Sequence, residues 1–197
     1  MASRDEILNN IKTTNVVPNV ALPEYEGFGI TYKDKFEQFK SVSKTISADA
    51  FILKNQAEVL AKTKELFPDI KHLASNISYV QDGIKSCINP NEVDDPHGLS
   101  DLDLSIVKAE FGVAENGAVW IKNLENRHRA LYFIAKNTIF IVPKEKLVNN
   151  MHEAYKKVDF KDGKYGTFIA GPSSTADIEQ SLVVGAHGAK STFVFFV

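Results

Sequence analysis

A run of small and hydroxyl-bearing residues between positions 171 and 179 is the part of this sequence best suited to hold a small ligand. Gly171 lets backbone approach a ligand closely, because glycine has no side chain. Three hydroxyl groups and a carboxylate follow it: Ser173, Ser174, Thr175 and Asp177. If a helix begins here, its unpaired N–H groups and its dipole would attract an anion. The alternative is an ordinary helix N-cap, with Asp177 placed as in a capping box relative to Ser174.

A histidine among small residues follows shortly afterwards, in Gly185, Ala186, His187 and Gly188. His187 would be accessible to a ligand and could act as a general acid or base or as a hydrogen-bond donor. In the alternative interpretation Gly185 ends a helix, and His187 only favours the negative end of its dipole.

Glu115 is the third candidate, because it lies two residues before Gly117, between two predicted strands. A carboxylate in such a place can be a nucleophile, a base or a hydrogen-bond acceptor. The pair Asn116 and Gly117 is also a hairpin turn signal, in which case Glu115 is merely solvated.

Composition excludes several other chemistries. The 197 residues include one cysteine, Cys87, so this chain can form no internal disulfide and cannot supply the four thiolates of an iron–sulfur cluster. We therefore expect no metal or cofactor bound by this chain, since the remaining histidines lack partners at metal-ligand spacing: His72, His97, His128 and His152. The net charge of −2 and the pI near 6.2 do not suggest a nucleic-acid partner.

The same reading predicts a cytoplasmic protein. The first residues contain no long apolar run that would resemble a secretory signal. No stretch approaches 18 consecutive apolar residues, so we expect no membrane span.

The candidate residues must be positioned by an alternation of helices and strands. Apolar spacing and breakers predict helices over 3–12, 31–46, 56–67, 143–158 and 174–184. Short apolar runs predict strands over 50–53, 77–80, 104–109, 117–121, 131–134, 138–142, 167–170 and 192–197. This order is typical of an α/β fold, with a mostly parallel sheet and helices on both faces. We divide the chain into a helix with an extended arm, 1–30, and an α/β domain, 31–197.

In such a sheet ligands bind in the crevice at the carboxyl ends of the strands. The loop that begins at Gly171 directly follows the predicted strand 167–170, so its position agrees with its chemistry.

The segment 168–179, followed by Gly185-Ala186-His187-Gly188, resembles the closing signature of the LUD (lactate utilization) domain family. The segment 114–119 is similar to an earlier element of that family, and the resemblance covers 104–197 well. It implies a three-layer fold like that of the NagB/RpiA/CoA-transferase group. It also implies a part in oxidising L-lactate to pyruvate, with electrons passing through iron–sulfur partner proteins.

The favoured hypothesis is a non-redox subunit or accessory protein that binds a small carboxylate or an iron–sulfur partner. Its ligand would contact Gly171, Ser173, Ser174, Thr175, Asp177 and Gly188, with His187 nearby. Two alternatives stay open. Glu115-Asn116-Gly117 is similar to the motif that bears the nucleophilic glutamate in some CoA transferases, which would make the chain an acyl-transfer enzyme. The chain could also be a metabolite-binding module without catalysis. In any of these roles it could form a homo-oligomer.

Overall fold

The computed structural model describes residues 3–14, 27–123, 125–159, 165–178, 181–185 and 187–197. Its helices are α1 (Ser3–Thr14), α2 (Lys35–Thr45), α3 (Gln56–Leu66), α4 (Ser78–Gly83) and α5 (Met151–Lys157). Its strands are β1 (Ala48–Ile52), β2 (Leu73–Ala74), β3 (Cys87–Ile88), β4 (Leu104–Lys108), β5 (Phe111–Val113), β6 (Ala118–Lys122), β7 (Asn137–Val142), β8 (Leu147–Val148), β9 (Gly166–Ile169), β10 (Ser174–Ile178), β11 (Ser181–Val184) and β12 (Ser191–Phe196). Short 3-10 turns cover Pro90–Glu92, Pro96–Leu99, Arg129–Tyr132 and Lys144–Lys146.

A six-stranded sheet in the order β1-β12-β7-β4-β2-β3 forms the centre of the fold, and every neighbouring pair in it is parallel. The last strand, β12, lies between β1 and β7. Phe195 is in register with Phe51 on one side and with Ile141 on the other. The predicted α/β fold with a mostly parallel sheet is therefore confirmed.

Alternation along the central strands creates two separate cores. Ile106 and Phe195 point to one face, where they pack with α3 and α4. Their neighbours Val107 and Phe196 point to the other face, where they pack with α2 and with a second sheet. Successive side chains of a strand point to opposite faces, so the nearly continuous apolar runs of β4 and β12 indicate a sheet covered on both sides. The result is three layers with helices on both faces.

The second sheet has the order β8-β5-β6-β9, and it packs against the α2 side of the central sheet. β5 and β6 form an antiparallel hairpin, as the Asn116-Gly117 signal predicts. Gly117 has a φ of +69°, and its N–H donates to the carbonyl of Val113. The outer face of this sheet carries a small cluster that includes stacked Phe111 and Trp120.

Four predicted elements are wrong, and one of them, the helix over 174–184, lies at the candidate site. Hydrogen bonds to distant residues explain two of the other three. The segment 77–80 leads into helix α4 instead of forming a strand. The Ser75 hydroxyl donates to the Ile106 carbonyl and accepts from the Ile77 N–H, and these hydrogen bonds turn the chain after β2. The segment 131–134 holds a 3-10 turn instead of a strand. The helix predicted from Pro143 begins only at Met151, because residues 147–148 pair with β5.

The N-terminal helix α1 is exposed along its whole length. The proposed division at residue 30 stays a prediction. With 12 residues α1 is the longest described helix, whereas a bilayer needs about 20 apolar residues. None of the helices in the described ranges is long and apolar enough to cross a membrane.

Phe196 offers a test of the core on the α2 side. Its ring lies edge-on to Phe36 and Phe39, with centroids 5.6 and 5.0 Å away. We expect Phe196→Ala to lower the free energy of unfolding by about 3–5 kcal/mol, because it leaves a cavity between the layers. Phe28→Ala, at a ring that is 64% exposed, is the matched control and should change little. Equal urea midpoints for the two variants would contradict the packing described.

Candidate functional site

The loop after β9 is held against the end of helix α2 at Gly171. This residue has a φ of +71°, and a Cβ atom added there would lie 2.4 Å from the carbonyl oxygen of Ile46. That oxygen belongs to the backbone and cannot move aside as a flexible side chain would. The loop can therefore pass this close to α2 only with glycine at position 171.

The segment after this loop is a β-hairpin, so the helix predicted over 174–184 is wrong. β10 and β11 pair antiparallel, with Ser174 opposite Val184. Ser173 extends the pairing, because its carbonyl accepts from Gly185 at 2.7 Å and its N–H donates to Ala189 at 2.9 Å. Gly185 has a φ of +76°, which suits a strand end as well as a helix end. The described residues of 174–184 therefore provide no helix N-terminus of the kind that attracts an anion.

A cavity of about 390 Å³, which we call the amino-end cavity, collects most of the predicted site residues. Its lining contains Gly171, Ser173, Ser174, His187 and Gly188 together with Tyr132, Phe133, Thr138, Phe140, Phe168, Ile169, Ala170, Pro172, Ala189 and Thr192. Ser174 and His187 are exposed. Gly188 lies so close to the Phe133 carbonyl and the Ser173 side chain that a Cβ atom there would be 3.0 and 3.1 Å from them.

The inner end of the cavity carries two buried hydroxyl groups that sequence reasoning missed. Thr138 and Thr192 are the second residues of β7 and β12 and lie opposite each other in register. The hydroxyl of Ser105 donates to Thr138 Oγ1 at 3.3 Å. The only signal was a hydroxyl residue near the start of an apolar strand, which is common in buried strands and does not indicate a site.

These threonines also correct the expected location. The Gly171 loop does follow the carboxyl end of β9, but β9 belongs to the smaller sheet. Because Thr138 and Thr192 stand near the start of their strands, the cavity lies at the amino ends of the central parallel strands. The carboxyl-end crevice of the central sheet is a different place.

The lining defines what the cavity can bind. Aromatic and aliphatic groups form much of its wall, and two serines, two threonines, Tyr132 and one imidazole bring polar groups to it. Among the described residues that line it, none carries a carboxylate or an ammonium group. Such a site suits a small ligand with one polar end and one apolar end, because few polar groups in an apolar cavity fix a ligand's orientation.

Glu115 does not line this cavity. It is exposed in the β5–β6 turn, and its carboxylate accepts a hydrogen bond of 2.8 Å from the N–H of Met151 at the start of α5. The Glu115 turn and the Gly171 loop nevertheless lie against the same residue, Ile46. A Cβ atom added at Gly117 would lie 3.0 Å from the Ile46 side chain, which also faces Gly171. A nucleophilic role for Glu115 stays a prediction.

The structure describes only some of the remaining predicted site residues. Thr175 lies in β10, half-buried, outside the residues that line the cavity. The side chain of Asp177 lies outside the described residues, as do Ala186 and Glu179. Across the part of the chain that the structure describes, no three His, Cys, Asp or Glu side chains converge as a metal site.

A polar junction fixes α5 beside the Glu115 turn. Both oxygens of Glu153 accept from Asn149, at 2.8 Å from its backbone N–H and 2.8 Å from its side chain. The side chain of Asn149 accepts from the N–H of Tyr32, and that of Asn150 donates to the carbonyl of Ile30. Burial raises the pKa of Glu153, but these hydrogen bonds and the nearby lysines outweigh it, and the pKa is lowered overall.

Comparison with known proteins relates this chain to one family. The LUD domain family model matches residues 97–197. Lactate utilization protein C from Oceanobacillus iheyensis is 38% identical over 92 residues, which cover 44% of this chain and 40% of that protein. The protein of the same name from Anoxybacillus flavithermus is 29% identical over 133 residues, 62% of this chain and 60% of that one. The matches thus span about half of each relative.

A solved structure shares the fold. The crystal structure of a DUF162 family protein from Deinococcus radiodurans superposes with a TM-score of 0.66, covering 83% of this chain and 96% of that one at 16% identity. Fold and site together define a three-layer α/β protein with a hydroxyl-lined cavity at the amino ends of its parallel strands. The chain belongs to the LUD domain family.

Gly171→Ala tests the close approach to α2. The substitution places an alanine at positive φ and drives its Cβ into the Ile46 carbonyl, so we expect a loss of roughly 2–4 kcal/mol in the free energy of unfolding. Gly27→Ala is the control, because Gly27 also has a positive φ but nothing lies within 4 Å of its Cβ position. Chemical denaturation should show the larger loss for Gly171→Ala. An equal loss in both would mean that only the backbone angle matters.

Glu153→Gln tests the junction through its pH dependence. A lowered carboxyl pKa stabilises the fold above the unfolded value near 4.5, and this contribution disappears as pH falls through the folded pKa. We expect wild type to be more stable than Glu153→Gln at pH 6 and the difference to shrink below pH of about 4. Thermal melts across this range measure it. A difference that is constant with pH would contradict the assigned hydrogen bonds.

Proposed function

We propose that this chain serves lactate utilization as a non-redox component and binds lactate or a similar small carboxylate in the amino-end cavity. Membership of the LUD domain family supports the general role, as do the relatives named lactate utilization protein C. The observation that carries the proposal is the convergence of Ser173, Ser174, His187 and Gly188 on one cavity.

The chemistry of lactate fits the lining. Lactate carries one carboxylate, one hydroxyl and one methyl group. The hydroxyls of Ser174 and Thr138 and the imidazole of His187 can pair with its polar groups. Phe140 and Ile169, which belong to the same core, can contact the methyl group. With no carboxylate among the described lining residues, nothing there repels the ligand's single negative charge.

A separate electron acceptor completes the proposal. Oxidation of lactate to pyruvate removes two electrons and two protons, and an acceptor must take them. This chain has one cysteine, so it cannot ligate a cluster by four thiolates. We assign the iron–sulfur clusters to a partner protein, and the part of this chain is to bind and orient the carboxylate. The contacts predicted for Thr175 and Asp177 stay predictions, because Thr175 lies outside the cavity lining and the Asp177 side chain lies outside the described residues.

Titration with L-lactate tests the site. We expect wild type to bind L-lactate, and we expect His187→Gln and Ser174→Ala each to bind it about tenfold more weakly. One charge-assisted or hydroxyl hydrogen bond is worth about 1–2 kcal/mol. His97→Gln is the matched control, because His97 is exposed on a turn outside the cavity lining. Calorimetry gives the affinities. Equal lactate affinity in His187→Gln and His97→Gln would place the ligand elsewhere.

An activity assay tests the non-redox part. The purified chain, given L-lactate and an artificial electron acceptor, should produce no pyruvate. Adding cysteine-rich proteins that copurify with it should restore the reaction. Pyruvate formed by the chain alone would refute the division of labour.

A further inference from the structure

A second crevice lies at the opposite end of the central sheet, and neither the sequence motifs nor the proposed function uses it. Three adjoining hollows of about 330, 270 and 50 Å³ share Glu110 in their walls. Each pair of hollows also shares one lysine: Lys108, Lys122 or Lys146. We call this the carboxyl-end crevice, because Lys108 is the last residue of β4 and Ile141 and Val142, which end β7, line it too.

The topology of the sheet explains why a crevice forms there. From β2 the chain moves outward to β3 through α4, on the face where Val80 is buried. From β4 it moves the other way to β7, and the intervening β6 packs on the opposite face through Ile121. Adjacent strands β2 and β4 thus send their connections in opposite directions. The carboxyl end of such a switch point is where open parallel sheets bind ligands.

Two buried acceptors in this crevice lack partners. Asn76 Oδ1 and Asn126 Oδ1 have no hydrogen bond to any described residue. Both side chains line the smallest hollow. Their amide nitrogens are engaged, since Asn76 Nδ2 donates to Glu125 at 3.4 Å and Asn126 Nδ2 donates to the Tyr132 hydroxyl at 2.8 Å. These bonds orient both amides with the oxygen unpaired.

An unpaired buried oxygen costs about 1–3 kcal/mol, so these two oxygens call for a donor from outside the chain. Acceptors of this kind take hydroxyl or amine hydrogens. Among the described residues of the adjoining largest hollow, the ammonium groups of Lys108 and Lys146 outnumber the single carboxylate side chain, Glu110, so the side-chain charge there favours an anionic group. Lys108 approaches Glu125 only to 4.0 Å, and both side chains are largely exposed, so this pair is weak and does not hold the lysine away from a ligand.

We infer that the carboxyl-end crevice binds a hydroxylated organic anion. Its carboxylate or phosphate lies between Lys108 and Lys146, and its hydroxyl groups donate to Asn76 and Asn126. The two larger hollows, of about 330 and 270 Å³, adjoin at Glu110 and Lys146, so a ligand larger than lactate can extend across both. This site is independent of the lactate proposal, because the two cavities share only Tyr132.

The test uses three probes on the full chain: glycerol 3-phosphate, gluconate and inorganic phosphate. At least one hydroxylated probe should bind wild type about tenfold more tightly than inorganic phosphate. The comparison of glycerol 3-phosphate with gluconate tells a phosphate ester from a carboxylate. If neither exceeds inorganic phosphate, the inference is wrong and the two oxygens bind only water.

Matched variants locate the binding. Lys146→Gln should weaken the tighter probe about tenfold, while Lys144→Gln should not, since both lysines are exposed in one turn and only Lys146 lines the crevice. Asn76→Ala should remove the preference over inorganic phosphate and keep the fold. His187→Gln should leave this binding unchanged. Equal affinities in Lys146→Gln and Lys144→Gln would overturn the inference, whatever the outcome with lactate.

Discussion

The insertion of β12 between β1 and β7 is the constraint on which the rest of the molecule depends. A parallel neighbour on each side fixes the register of this strand twice, at Phe195 against Phe51 and against Ile141. Its consecutive aromatic residues then enter opposite cores, Phe195 on the α3 and α4 side and Phe196 on the α2 side. A shift by one residue would exchange these two faces and disrupt both cores.

The same register positions the amino-end cavity. Ala189 and Lys190 lie just before β12, and they bond Ser173 and Lys136 through their backbones. His187 and Gly188 are therefore brought to the Ser173 loop by the strand that follows them. On the other side, the Ile46 carbonyl at the end of α2 sets how close Gly171 must come. The contacts that pack the core therefore also fix the geometry of the amino-end cavity.

Tyr132 connects the two ends of the sheet. It lines the amino-end cavity, and its hydroxyl group donates to Asn123 at 2.7 Å and accepts from Asn126 beside the carboxyl-end crevice. Burial raises the pKa of Tyr132, so the phenol stays protonated at neutral pH and keeps this donor. One buried residue therefore contributes to the walls of both sites. The amino-end cavity offers hydroxyl groups and one imidazole, whereas the carboxyl-end crevice offers lysines and unpaired amide oxygens.

The sequence by itself determined the α/β class and the strongly periodic elements such as α2, α3 and β12, because these depend on local pattern. A nearly contiguous motif also singled out Gly171, Ser173, Ser174, His187 and Gly188, but their convergence on one cavity depends on the tertiary structure. Only the tertiary structure decided that 174–184 is a hairpin, since its pairing is extended by a bond from Ser173 to Ala189, beyond the segment itself. It also decided that Thr138 and Thr192 join the site and that Glu115 contacts α5 instead. Those outcomes depend on which distant backbone groups meet, and no local pattern of side chains specifies them.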